Sequence, residues 1–325
     1  MGVAPSTFAG GHARFAYQRL AQADVSPVVV TGKSTLRRPP AREGRTTVLL
    51  AVVIVAVVAI GGFVFFTTRG DDGTGTASAG MAHVHGLGVD PKDGALYAGT
   101  HYGLFRVSGS GEATLVADRA QDFMGFTVVG PGHFLASGHP GDGQDGPSSL
   151  GLIESTDSGQ TWQSLSLSGE ADFHSLEYRH GRVYGLNSQT GGFMVSQDKQ
   201  NWETRSQIPM ADFAVSPDDP DVVMATTEQG LLRSDDGGGN FEPVPAAPIL
   251  LLVTWGDDGT IVGVEPDGTV YVSSDDGLSW QQRGSLDASP QALTATDAEE
   301  IFAAVEGAIL ASSDGGRSFT VRYNE

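Results

Sequence analysis

A six-bladed β-propeller is the fold this sequence predicts, with seven blades as the alternative and one membrane-spanning helix ahead of it. Three observations predict the propeller. An eight-residue phrase recurs at Ser155–Trp162, Ser234–Phe241, Ser273–Trp280 and Ser312–Phe319, with a shortened copy at Ser196–Trp202. Its aspartates are Asp157, Asp198, Asp236, Asp275 and Asp314, so successive spacings are 41, 38, 39 and 39 residues. A fixed period of this size marks a propeller or a similar repeat array. Between the phrases, short alternating apolar runs broken by Asp-Gly and Gly-rich steps read as strands.

The chain has 325 residues, no cysteine and a formal net charge of −20. A disulfide, a zinc–thiolate site and a thiol nucleophile are therefore excluded. The charge is uneven. Residues 1–69 carry eight Lys/Arg against two Asp/Glu, and the remainder carries eleven against thirty-seven, a balance of −26. A surface of that sign repels phosphates, so nucleic acid is not an expected partner.

Residues 1–45 show no sustained periodicity and gather basic side chains at Arg37, Arg38, Arg42 and Arg45, which reads as a disordered basic tail. Residues 46–68 carry no charge, and Val48–Phe66 is almost wholly Val, Leu, Ala, Ile and Phe. That length approaches the roughly 20 apolar residues a bilayer-spanning helix needs. It exceeds the core of about 7–15 residues usual in a cleaved signal peptide. Four arginines precede the run, and only Arg69 follows before Asp71 and Asp72. The positive-inside rule then predicts a single-pass anchor in the cell membrane, with the N-terminus cytoplasmic and the acidic part extracytoplasmic. Residues 69–81, rich in Gly, Thr, Ser and Ala, read as a flexible tether.

Residues 82–325 divide into six repeats of four strands, A to D. The first has strand A at His85–Val89, B at Ala95–Gly99, C at Gly103–Val107 and D at Ala113–Val116, with a degenerate phrase, Ser108–Gly111. The others begin near 122, 172, 210, 249 and 290. Each repeat runs from A to D, so the ring should close by packing of blade 6 on blade 1 with no strand exchanged. The recurrent phrase falls at the C–D turn. Its aspartate suits an Asx turn, its glycine a positive φ, and its aromatic the start of the next strand. These five aspartates are therefore turn locks rather than catalytic acids.

Alternation of strand direction puts the A–B and C–D turns on one face and the B–C and D–A loops on the other, where a funnel-shaped site is expected. The B–C loops carry His101, His139, Asn187, Glu228, Glu265 and Glu306. At the start of strand A, His83-Val84-His85-Gly86 aligns with Asp122-Phe123-Met124-Gly125 and Asp172-Phe173-His174-Ser175, and Asp212 and Gln291 lie nearby in later repeats. The funnel should thus have a histidine-rich rim and an acidic rim. His133 and His180 fall on the other face. The insertion Gly141–Ser149 in repeat 2 stands over the funnel side.

Three chemistries suit these residues. A concave polar surface of His83, His85, His101, Asp122, Met124, His139, Asp172, His174, Glu228, Glu265 and Glu306 could recognise a protein or a glycan. His83, His85, His101, His139 and His174, with the Met124 thioether, could hold a transition metal, because imidazole suits zinc, copper, iron and nickel. The carboxylates could supply the acid and base of glycoside hydrolysis.

The recurrent phrase resembles the Asp-box of BNR-repeat β-propellers, a group that includes sialidases, sortilin-type receptor propellers and photosystem II assembly factors. The resemblance covers roughly residues 82–325 and implies the propeller fold. It implies either a binding and assembly role or a sialidase-like glycosyl hydrolase. A sialidase also needs an arginine cluster and a tyrosine nucleophile. Arg106, Arg233, Arg179 and Arg182 fall away from the funnel loops, Arg119 alone is near one, and Tyr102 is the one tyrosine clearly on that side. The Arg-Ile-Pro signature is missing. The leading expectation is a membrane-anchored, extracytoplasmic recognition or assembly module.

Overall fold

The computed structural model describes residues 81–117, 121–141 and 143–325. The expected basic tail, membrane helix, tether up to residue 80 and Arg119 lie outside the described residues. Among the described residues no helix is long and apolar enough to cross a membrane.

The described chain is all strand and turn. Blade 1 comprises β1 (Val84–Asp90), β2 (Ala95–Thr100), β3 (Gly103–Val107) and β4 (Ala113–Leu115). Blade 2 comprises β5 (Asp122–Gly130), β6 (His133–His139), β7 (Leu152–Ser155) and β8 (Gln163–Ser166). Blade 3 comprises β9 (Phe173–Arg179), β10 (Arg182–Asn187), β11 (Gly192–Ser196) and β12 (Trp202–Gln207). Blade 4 comprises β13 (Met210–Val215), β14 (Val223–Thr227), β15 (Gly230–Ser234) and β16 (Glu242–Pro243). Blade 5 comprises β17 (Leu252–Trp255), β18 (Ile261–Val264), β19 (Thr269–Ser273) and β20 (Gln281–Ser285). Blade 6 comprises β21 (Ala292–Ala295), β22 (Ile301–Val305), β23 (Ala308–Ser312) and β24 (Thr320–Asn324).

Each blade is one antiparallel four-stranded sheet in sequence order. The first strands touch in a closed cycle: β1 on β5, β5 on β9, β9 on β13, β13 on β17, β17 on β21 and β21 on β1. Six blades therefore close the ring formed by the described residues, which leaves no place in it for a seventh. The second strands carry the buried runs. Every residue of β2, β14 and β22 is buried, as expected for strands covered on both faces. The outermost strands β4 and β20 are largely exposed.

Six hydrophobic clusters hold the ring, one at each junction between neighbouring blades. The cluster at the seam joins Val84, Leu96 and Phe105 of blade 1 to Phe302, Ala304 and Ile309 of blade 6. No strand crosses this seam, as expected. Met81, the last residue assigned to the tether, is 2% exposed and belongs to this cluster, so the folded unit starts before residue 82. The Val84 N–H donates to Gln291 Oε1 at 3.1 Å and the Ala82 N–H to Glu325 Oε1 at 2.9 Å, adding polar stitches across the seam.

The recurrent phrase forms the C–D turns. In blade 2 the Ser155 hydroxyl donates to Asp157 Oδ1 (2.8 Å) and accepts the Gly159 N–H (2.9 Å). Asp157 Oδ1 also accepts the Thr161 N–H (2.9 Å), and Oδ2 the Thr161 hydroxyl (2.6 Å). The pattern repeats around Asp236, Asp275 and Asp314. In the shortened copy Asn201 supplies both its N–H and its side-chain amide to Asp198.

The phrase's glycine does more than turn the chain. Gly159 has φ +84°, and a Cβ there would lie 2.4 Å from Leu104 of the preceding blade. A Cβ on Gly238 would lie 2.1 Å from the Phe193 ring, and one on Gly277 2.7 Å from Met224. Each turn therefore seats its glycine on the blade before it. The aromatic rings are less buried than their motif position suggests: Trp162, Trp202, Trp280, Phe241 and Phe319 are all partly exposed at blade junctions. The indole N–H of Trp162 and of Trp280 donates to the carbonyl of Gly159 and of Gly277, each at 3.1 Å.

Candidate functional site

The face opposite these turns gathers the histidines, and backbone irregularity aims them. In blade 1, Val84 pairs with Thr100 and Gly86 with Gly99, leaving His85 as an extra residue. The same one-residue bulge falls on Met124 between Phe123 and Gly125, on His174 between Phe173 and Ser175, and on Ala211 between Met210 and Asp212. Bulges re-aim side chains and recur next to functional sites. Blades 1 to 3 thus present His85, Met124 and His174 at one structural position. The entry strands of blades 5 and 6 pair without such a shift.

The β1–β2 pairing brings His83 and His85 against His101 of the following turn. Ring centroids of His83 and His85 are 4.6 Å apart, those of His85 and His101 4.4 Å, and those of His83 and His101 5.9 Å. The Nε2 atoms of His85 and His101 stand 3.2 Å apart. His101 Nδ1 donates to Asp122 Oδ1 of the next blade at 2.9 Å. Ligand atoms of His85, His101 and Asp122 all fall within 4.8 Å of one another. Burial, followed by the neighbouring imidazoles His83 and His101, lowers the His85 pKa to about 2 and keeps that ring neutral. Burial and His101 also lower His83, against an opposing pull from Glu306.

A second group lies on blades 2 and 3. Asp172 is 4% exposed. Its Oδ2 accepts from His174 Nε2 and from the Ser188 hydroxyl, each at 2.8 Å, while His139 Nε2 stands at 3.7 Å. Burial works to raise this carboxyl, but the His174 hydrogen bond and charge prevail and leave its pKa below the ordinary range. Its other oxygen, Oδ1, is buried and finds no hydrogen-bond partner among the described residues. His139 Nδ1 donates to the Ser148 carbonyl at 2.6 Å, and Gln189 binds the Ser149 hydroxyl at 2.6 Å. The far end of the repeat-2 insertion is therefore tied to blades 2 and 3.

The structure brings His83, His85, His101 and Asp122 together, and Asp172, His174 and His139 together, while Glu306 is exposed at the β22–β23 turn and, among the described residues, forms no hydrogen bond or ion pair with the histidines. His174 and Asp172 both act on the His85 ring, so the groups are neighbours. Met124 is buried in β5. Glu228 is exposed at the β14–β15 turn and Glu265 half-buried at the β18–β19 turn. Among the described residues no hydrogen bond or ion pair joins either to the histidines. On the opposite face, His133 binds Glu154 at 2.7 Å and His180 the Ser216 carbonyl at 2.8 Å, as turn residues would.

Two inner-strand carboxylates have roles that the sequence does not reveal. Glu177 accepts the Val215 N–H of the next blade at 3.0 Å and pairs with Arg179 at 3.0 Å. Asp212 accepts the Ser175 hydroxyl (2.8 Å) from the blade before and the Val253 N–H (3.1 Å) from the blade after. Burial raises Glu177 to about 7 and Asp212 to about 6, although a fifth of the Glu177 side chain still meets solvent. For Asp212 the signal in the sequence is one charged residue inside an otherwise apolar entry strand, Met210-Ala211-Asp212-Phe213-Ala214-Val215; Glu177 lies in a strand that already carries His174, Ser175 and Arg179 and has no such signal. Because each accepts a hydrogen bond from a neighbouring blade, they read as inter-blade ties.

No protein-family model matches the chain. It is similar to a curated protein of Prochlorococcus marinus described as photosystem II assembly lipoprotein Ycf48, at 27% identity over 142 residues. That match covers 40% of this chain and 42% of the relative, so the chain spans about two fifths of that protein's length. A solved structure described as YCF48 bound to D1 peptide matches at 18% identity, covering 75% of this chain and 83% of that one, with a TM-score of 0.48. The gluconolactonase XC5397 of Xanthomonas campestris matches at 10% identity, covering 74% and 87%, with a TM-score of 0.58. The latter likeness speaks for the propeller fold alone.

Proposed function

We propose that this chain is a membrane-anchored, extracytoplasmic recognition and assembly module that holds a protein partner at the histidine-lined mouth of blades 1 to 3. The observation that carries the reading is the buried Asp172. Its Oδ2 is fully engaged by His174 and Ser188, while Oδ1 faces no donor among the described residues. A buried polar atom left unpaired costs about 1–3 kcal/mol, so a partner's donor that displaces the partly exposed His174 or His139 ring and reaches Oδ1 would be favoured there. The acidic balance of residues 70–325 attracts a cationic segment in the same direction. Similarity to a protein described as an assembly lipoprotein supports a protein rather than a glycan as the partner. The apolar run at 46–68 and its flanking arginines support the anchor and its orientation.

Site-specific photocrosslinking in intact cells tests this. A photoreactive residue at Tyr102, in the blade 1 mouth turn and 46% exposed, should capture one discrete protein. The same residue at Leu278, in a C–D turn of the opposite face and 81% exposed, should not. Equal capture at both positions, or none at Tyr102, overturns the reading. Asp172→Asn should weaken the Tyr102 crosslink without unfolding the ring.

A further inference from the structure

We propose that His85 and His101 bind one late first-row transition ion, with zinc and copper(II) as the type, that the exposed His83 turns in as the third ligand, and that Asp122 holds His101 in its ligating tautomer. The site goes beyond the recognition reading and does not depend on it. Three features of the geometry carry the argument.

The first is the nitrogen spacing. Two imidazole nitrogens bound tetrahedrally to zinc at about 2.0–2.1 Å lie roughly 3.3 Å apart. His85 Nε2 and His101 Nε2 stand 3.2 Å apart. The second is the tautomer. His101 gives its Nδ1 proton to Asp122 at 2.9 Å, which leaves the Nε2 lone pair pointed at His85. A carboxylate behind a histidine is the usual outer-shell partner of a metal-bound imidazole, fixing its orientation and raising its basicity. A shared proton between His85 and His101 would need only two rings. His83, its ring 4.6 Å from His85 and 5.9 Å from His101, stands outside the compact set of His85, His101 and Asp122 and needs only a side-chain rotation to offer an ion a third imidazole.

The third feature is the bulge. It places His85 out of register at the start of β1, and the equivalent bulged residues of the next two blades are Met124 and His174. Imidazole ligands suit zinc and copper, and do not suit calcium or magnesium, which take oxygen ligands. The equivalent pair one blade on is looser, with His139 Nε2 3.7 Å from Asp172 Oδ2.

The test uses the full-length protein in detergent, loaded with Zn²⁺, Cu²⁺ or Ca²⁺, desalted and assayed for metal. About one Zn²⁺ or one Cu²⁺ per chain should be retained and no Ca²⁺. Copper should bind more tightly than zinc, as at any imidazole site, so the pair identifies nitrogen ligation rather than the ion used in the cell. His101→Ala, at an exposed turn position, should abolish retention at an unchanged melting temperature. Asp122→Asn should keep the stoichiometry and weaken zinc affinity about 10–100-fold. His133→Ala, on the other face, should bind like the parent. Failure of the parent to retain either ion overturns the proposal, as does full retention in a His85→Ala/His101→Ala pair. Should His85→Ala fail to fold, His101→Ala alone decides. Repeating the Tyr102 crosslink with and without chelator separates the two readings, since crosslinking by metal-free protein leaves recognition standing without the ion.

Discussion

At the C–D turns, Asp157, Asp236, Asp275 and Asp314 turn their oxygens back into their own turns, and four copies look alike. At the mouth, on the other end of the same blades, Asp122 reaches His101 of the neighbouring blade, and Asp172 stands between His174 and His139 of two blades. The mouth loops differ in the side chains they present, even where the backbone turn is shared, as at Thr100–Gly103 and Thr227–Gly230. The difference separates a part that must be the same in every blade from a part that need occur only once. A turn that satisfies itself can be copied. A site assembled from three blades needs a different contribution from each.

Substitutions can break or sharpen this contrast. The largest effect should come from the turns. Gly238→Ala forces a Cβ to 2.1 Å from the Phe193 ring at a φ of +85° and should cost about 3 kcal/mol or more, read as a lower denaturation midpoint. A change under about 1 kcal/mol would show that the turns do not grip the preceding blade. Trp280→Ala should follow at about 2–3 kcal/mol, below the ~3–5 of a fully buried ring because this one is partly exposed.

Acidity should distinguish the regions as well. The turn aspartates have depressed pKa values, Asp198 and Asp314 at about 2, through hydrogen bonds from Asn201 and Ser318. Their contribution is present above the ordinary aspartate pKa and is lost as pH falls from about 4 towards 2. Glu177 behaves oppositely. Its folded pKa of about 7 lies above the ordinary 4.5, so the folded state binds the extra proton and stability falls as pH rises from 4.5 through 7. Melting temperature against pH should show both limbs. Glu177→Gln should remove part of the second and leave the first, and an unchanged profile would deny Glu177 that role. The smallest stability effect belongs to the mouth: His101→Ala should stay within about 0.5 kcal/mol of the parent. A larger loss would make His101 a structural residue and erase the contrast.

The legible and illegible parts of this molecule follow the same division. A turn that repeats Ser, Asp, Gly and an aromatic at constant offset is readable because its hydrogen bonds are local. Blade phase and number follow from it, and so does the side on which His83, His101 and His174 fall. The bulge at His85 is not readable, since register is a property of two strands. Nor is the seating of Gly238 on Phe193, some 45 residues earlier in the chain. Glu228 and Glu265 share the B–C phase of His101 but join no cluster, because phase places a residue on a face without bringing it to a neighbour. Glu177 escapes a reading of the sequence because its partners, Val215 and Arg179, are chosen by the packing of two blades.

The seam without a shared strand has a consequence for how the ring comes into being. Every blade is contiguous in the chain, so a nascent polypeptide can complete one sheet after another as it is made, using contacts of short sequence separation. The junction between blades 1 and 6 is different. Phe302 and Ile309 must find Val84 and Leu96, and the Ala82–Glu325 contact spans 243 positions. That junction alone joins the last blade to the first. Until it forms, the face of blade 1 that blade 6 will cover stays open to water, and the arc of finished sheets is the species most exposed to capture by another copy or a chaperone.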